Sequence, residues 1–222
     1  MPRRPRRTRR VTLTAVFVAA LATLAAPTAA QAATTAASAT TATTATAPAT
    51  TTATATAAAV DYATWQRDCQ AVMDQALPYL KERIAAARPG EKQAVVFDID
   101  NTTLETDFGF SYPQSANKPV LDVAEYAQDH GVSLFFVTAR PGILSAPTEY
   151  NLKHVGYRVS GLYVRGFADL FKDVAAYKTA QRAAIEAKGY TIIANIGNNT
   201  SDLTGGHAEK TFKLPDYDGQ LS

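Results

Sequence analysis

The chain has one cysteine in 222 residues. That excludes an internal disulfide, so any folded part must be held together by its core. Charge is absent over a long stretch, with no Lys, Arg, Asp or Glu between Val11 and Val60. Large side chains are absent from Ala33 to Ala59, where Ser38 and Pro48 are the only residues other than Ala and Thr. Such a stretch has nothing with which to build a core. The chain also lacks a basic surface signature. Six of its 22 basic residues are arginines in the first ten positions, and from Asp61 onward 20 acidic residues outnumber 16 basic ones. Nucleic acid is therefore not an expected partner.

What is present divides the chain into three parts. Residues 1–32 read as a signal peptide: an arginine-rich head, an apolar run from Val11 to Ala26, and the small-residue triplet Ala30-Gln31-Ala32. The apolar run is short of the ~20 residues that span a bilayer, so no stable span is expected after cleavage. Thr8-Arg9-Arg10 before Val11-Thr12-Leu13 partly matches a twin-arginine signal, and both Sec and twin-arginine export stay open. Residues 33–60 read as a flexible Ala/Thr-rich linker. Residues 61–222 are long enough to bury roughly 70% of their unfolded surface in one domain.

In that domain helical and strand patterns alternate. Asp61 to Ala87 carries apolar residues at three- and four-residue steps from Trp65 to Ile84, with Pro78 able to kink or split the helix. Cys69 lies on its apolar face. Strands are expected around Ala94–Phe97, Val132–Val137, Leu162–Val164, Tyr190–Ile196 and Thr211–Leu214. Helices are expected at Val120–His130, Ala146–Val155 and Phe171–Lys188, with Thr106 to Pro119 as a loop. Alternation of this kind implies a parallel sheet with helices on its faces, and functional residues beyond the carboxyl ends of its strands.

Polar residues stand at those ends. Asp98-Ile99-Asp100-Asn101-Thr102 leaves the first buried strand, Thr138 and Arg140 follow the second, and Gly197-Asn198-Asn199-Thr200-Ser201-Asp202 follows a later one. Lys178 sits on the helix before that later strand. Two carboxylates leaving a buried strand are costly unless paired or metal-bound. Thr138 and Arg140 suit anion recognition, Lys178 can neutralise a phosphate, and the Asn/Asp oxygens suit a hard cation. Taken singly, each also fits a structural role: an Asp-capped turn, an N-cap threonine, a solvated arginine or lysine, or an Asn/Gly turn.

In this order the four segments resemble the haloacid dehalogenase-like (HAD) superfamily of phosphohydrolases. More narrowly they are similar to its secreted acid phosphatase branch, class B-like and including plant vegetative storage proteins. The resemblance covers residues 61–222. It implies a three-layer, Rossmann-like α/β fold with a parallel sheet, a minimal cap and an N-terminal helical segment. It also implies an exported, Mg²⁺-dependent phosphomonoesterase, secreted or associated with the cell envelope, acting on small phosphomonoesters with nucleotides among the candidates. Asp98 would be the nucleophile and Asp100 the general acid/base. Thr138, Lys178 and Arg140 would bind phosphate, and Asp98, Asp100, Asn198 and Asp202 would hold the metal.

One departure stands out, since Asn198 occupies a position that is usually Asp in the superfamily. It favours the alternative of a non-catalytic or weakly active storage or binding protein, which Asp98 and Asp100 oppose. Between Glu105 and Pro119 there is no room for a full cap domain. Phe108, Phe110 and Tyr112 in that segment either form an aromatic rim for a leaving group or pack against the N-terminal helix. Asp107 there is either a substrate contact or a loop residue.

Overall fold

The computed structural model describes residues 60–221. The expected signal peptide and the Ala/Thr linker, apart from Val60, lie outside the described residues. Among the described residues no helix is long and apolar enough to cross a membrane.

Helix α1 (Tyr62–Ala85) begins where Asp61 accepts a hydrogen bond from the Thr64 amide, and it runs through Pro78 as one element. Strand β1 (Lys92–Phe97) follows. Helix α2 (Lys118–Asp129) starts two residues earlier than the apolar pattern alone suggests, because Pro119 sits in its first turn, where a missing N–H costs nothing. Strand β2 (Ser133–Pro141) extends past the apolar run and carries Thr138 and Arg140 within it. Helix α3 (Ser145–His154) and strand β3 (Val159–Arg165) come next. Helix α4 (Val174–Glu186) is shorter than expected at its start. Asp173 caps it through the Ala176 amide, and residues Phe167–Phe171 form a separate 3-10 turn. Strand β4 (Tyr190–Gly197), the short helix α5 (Thr200–Leu203) and strand β5 (Thr211–Lys213) complete the order.

The five strands form one sheet in the order β3-β2-β1-β4-β5, with every pairing parallel. Strand alternation sends Val95, Phe97, Leu134 and Phe136 to one face, where they pack with Trp65, Met73 and Leu80 of α1, Val120 and Ala124 of α2, and Leu152 of α3. The other face places Ala94, Val96, Phe135 and Val137 against Tyr177 and Ile185 of α4. Each large apolar side chain buried in these layers contributes roughly 1.5–3 kcal/mol. Cys69 is fully buried in the first layer, and burial pushes its thiol up to about 12.

The loop residues 106–117 divide as the alternatives in the sequence allowed. Phe108 stacks on Trp65 of α1 at 4.3 Å between centroids, whereas Phe110 and Tyr112 are exposed. Asp107 is a loop residue: it accepts from the Asn101 amide at 2.7 Å and returns its own N–H to Asn101 at 3.0 Å. This pair steadies Asn101, whose φ of +51° is unusual for a residue with a side chain.

At the amino end of the sheet, Arg83 of α1 binds Glu91 at 2.5 Å and Glu209 at 2.6 Å. The Arg83 guanidinium and the Arg88 amide hold the Glu91 carboxyl down to about 2, against its ordinary 4.5. A depressed carboxyl adds stability above its unfolded value and loses it as pH falls through the folded one. Glu91→Gln is therefore expected to lower the melting temperature at neutral pH. The gap between the two proteins should close from about pH 4.5 towards pH 2, as read by thermal denaturation across that range.

Candidate active site

The strand order reverses at β1: β2 lies on one side and β4 on the other. A crevice opens beyond the carboxyl ends of an α/β sheet at such a point. A cavity of about 450 Å³ lies there, lined by Asp98, Asp100, Arg140, Lys178 and Asp202 among others.

Asp98 continues β1 by one residue, its amide donating to the Ile196 carbonyl of β4 at 2.9 Å. The chain then turns sharply. The Ile99 carbonyl accepts from the amides of Thr102, Thr103 and Leu104, and the Thr103 hydroxyl donates to the Asp98 carbonyl. This turn sends the two carboxylates to different partners. Asp98 Oδ1 accepts from Lys178 Nζ at 2.5 Å, and the same ammonium donates to Asp202 Oδ1 at 2.5 Å. All three side chains are buried. Burial pushes the Asp98 carboxyl up to about 7; the Lys178 charge works against that shift and Asp202 adds to it. Burial opposes the Lys178 charge, but the two carboxylates outweigh it and hold the ammonium above its usual range.

Asp100 lines the same cavity with a different partner. Arg140 grips it through Nε, 3.2 and 3.1 Å from the two oxygens, and through Nη2, 2.7 Å from Oδ1. The Thr106 hydroxyl donates to Oδ1 at 2.8 Å.

Asp202 is held from three directions. Its Oδ2 accepts from the Asn199 amide, and its main-chain carbonyl accepts from Arg182 at 2.6 Å and Asn195 at 2.9 Å. Gly197 leaves the space this needs, since a Cβ there would lie 2.4 Å from the Asp202 Cβ. Arg182 is a site-supporting residue that sequence reasoning missed. It is buried, and it also donates to the carbonyls of Thr204 and Gly206. Its position one turn beyond Lys178 on α4 was the available signal, because residues four apart share a helix face.

The structure thus brings Asp98, Asp100, Arg140, Lys178 and Asp202 around one cavity. It does not bring two others of the expected set into the lining. Thr138 is fully buried, and its Oγ1 accepts from the Arg140 amide at 3.1 Å. Asn198 is also fully buried. Its Oδ1 accepts from the Thr102 hydroxyl at 3.3 Å and its Nδ2 donates to the Leu221 carbonyl at 2.5 Å. The amide links the first turn to the C-terminal tail through Nδ2, and its Oδ1 keeps a second lone pair. Asp100 directs its carboxylate at Arg140.

Among the described residues no three His, Cys, Asp or Glu side chains converge as metal ligands. The remaining donors still fit Mg²⁺, which uses one or two carboxylates and takes its other oxygens from water and substrate phosphate. Asp98 Oδ2 accepts no hydrogen bond among the described residues. With both ionised, two buried carboxylates against one ammonium would also leave an excess negative charge that a cation would balance.

A family profile described as HAD superfamily, subfamily IIIB (acid phosphatase), matches residues 18–118 and 111–220. The sequence is similar to a stem 28 kDa glycoprotein of Glycine max, 38% identical over 89 residues, which cover 38% of this chain and 35% of that protein. A stem 31 kDa glycoprotein of the same plant is 29% identical over 174 residues, covering 68% and 67%. Acid phosphatase 1 of Solanum lycopersicum is 33% identical over 87 residues, covering 38% and 34%. The first-matched of these proteins is thus spanned over about a third of its length. Among solved structures, the class C acid phosphatase of Bacillus anthracis superposes with a TM-score of 0.57 at 18% identity, over 71% of this chain and 80% of that one. At that identity the likeness is one of fold.

Proposed function

The chain belongs to the subfamily IIIB acid phosphatases of the HAD superfamily, and from that membership we propose that it is an active, exported, Mg²⁺-dependent phosphomonoesterase working through an aspartyl-phosphate. The observation that carries this reading is the Asp98–Lys178–Asp202 cluster, buried at the carboxyl end of β1, with Asp100 across the same cavity. A protein that only stores or binds has no need of two buried carboxylates and a lysine at such cost.

The chemistry runs in two steps. Asp98 attacks phosphorus in line. The phosphorus–oxygen bond to the leaving group breaks, and Asp100 gives that oxygen a proton. Asp100 then takes a proton from water, whose oxygen attacks the phosphorus of the aspartyl-phosphate and returns the Asp98 carboxylate with inorganic phosphate. Lys178 and Arg140 hold the phosphoryl oxygens as charge moves between them. Thr138 Oγ1 accepts from the Arg140 amide and so fixes the main chain that carries the guanidinium. Asp98, Asp202 and the Asp100 main-chain carbonyl would hold Mg²⁺, which supplies Lewis-acid charge and offsets repulsion between carboxylate and phosphate. The substrates in this reading are small phosphomonoesters, nucleotides included, and the segment after the first turn is too short to close the site over them.

The test is turnover of an aryl phosphate by the purified chain, with Mg²⁺ and with chelator, from acidic to neutral pH. Turnover that the chelator abolishes is expected. A folded protein without turnover anywhere in that range supports the non-catalytic binding reading instead.

A further inference from the structure

Arg140 spends its donors unevenly. Its Nε and one Nη2 hydrogen go to Asp100, with a longer Nη2 contact of 3.5 Å to the Thr106 hydroxyl; its other Nη2 hydrogen goes to Gln114 Oε1 at 3.0 Å, and Nη1 donates to the Thr148 hydroxyl at 3.1 Å. Asp100 is the one charged partner in this set, and a guanidinium has five N–H groups, so one Nη1 hydrogen is left over. Gln114 is in turn placed with unusual care for a loop residue. Asn151 of α3 is buried, and it uses both ends of its amide on the Gln114 main chain. Its Oδ1 accepts from the Gln114 amide, and its Nδ2 donates to the Gln114 carbonyl, each at 2.8 Å. A buried asparagine therefore fixes the backbone from which the Gln114 side chain reaches Arg140.

We propose that Gln114 is a positioning residue for phosphoryl transfer, an uncharged acceptor that holds the Arg140 guanidinium in plane between Asp100 and the substrate phosphate. This rests on the phosphatase reading above. The choice of an amide matters. A second carboxylate at this position would satisfy the guanidinium charge and compete with the phosphate, whereas an apolar side chain would leave the guanidinium free to tilt. With Gln114 and Thr148 as fixed, neutral acceptors, Arg140 can exchange its grip on Asp100 for a grip on the phosphate dianion. Asp100 is then released towards the leaving-group oxygen.

Two substitutions separate these effects. Gln114→Glu is expected to raise both the KM for an aryl phosphate and the inhibition constant for inorganic phosphate by about tenfold, with a smaller change in kcat. Gln114→Leu is expected to lower kcat by about tenfold with a smaller change in the phosphate inhibition constant. Gln114 is half-buried at the surface, and melting temperatures close to wild type are expected for both. A Gln114→Glu protein with an unchanged phosphate inhibition constant would overturn the proposal. So would two variants that shift kcat and KM alike, as a purely structural loop residue would do. Wild-type turnover, measured in the same series, separates the two levels. Its absence overturns the phosphatase reading and the proposal with it; its presence leaves the Gln114 variants to decide the proposal alone.

Discussion

Asp98→Asn is expected to lower turnover by at least about 10⁴-fold, the scale on which removal of a covalent nucleophile is felt. An amide nitrogen and a weakly basic carbonyl oxygen cannot attack phosphorus, so no aspartyl-phosphate forms. Stability should move the other way. The Asp98 carboxyl is buried beside Asp202, and burial already pushes it up to about 7. Its ionised form therefore costs the fold energy, and the isosteric amide removes that cost. Lys178 keeps Asp202 as a one-to-one partner at 2.5 Å. Thermal denaturation at neutral pH in chelator should find Asp98→Asn at least as stable as wild type. A variant both inactive and markedly less stable would mean that Asp98 holds the fold together and that its loss says nothing about chemistry.

Lys178→Met is expected to fail in both respects. The ammonium is the one cation within hydrogen-bonding distance of both Asp98 and Asp202 among the described residues. A thioether of similar length leaves two buried carboxylates facing each other. Breaking a buried ion pair from one side costs about 3–5 kcal/mol. For a domain of this size that corresponds to a fall of roughly 10 °C in melting temperature. Turnover should fall by about 10³-fold, since the phosphoryl oxygens lose a fixed charge that acts in a dry site. Unchanged melting would show that the carboxylates are not both ionised in the resting protein.

The architecture was largely legible because β1, β2 and β4 contain short apolar runs and α1, α2 and α4 keep a helical period. Where boundaries moved, a local cause is visible. Pro119 belongs in a first turn, Asp173 caps α4 late, and β2 runs on past an irregular stretch to Pro141, which pairs with Arg165 of β3. Asp98, Asp100 and Arg140 could be picked out because the topology delivers strand ends to one crevice, which Lys178 and Asp202 reach from α4 and α5.

What the sequence does not encode locally is the direction each side chain takes. Asn198 stands at a metal-ligand position by its place in the order, and its amide also meets Thr102, 96 positions earlier, and Leu221, 23 positions later. Arg140 suits phosphate binding by its place after the apolar run of β2, and in the structure it grips Asp100. Gln114 carried no signal, since its place depends on Asn151, 37 positions away in α3.

The central claim is that Asp98 becomes phosphorylated in each cycle. The direct measurement is an acid quench of the protein during turnover of a radiolabelled phosphomonoester, followed by peptide mapping. Label on the peptide containing Asp98, released by hydroxylamine and absent from Asp98→Asn, is the predicted result. Steady turnover with no covalent label in the wild type, or with label on a peptide that lacks Asp98, would contradict it.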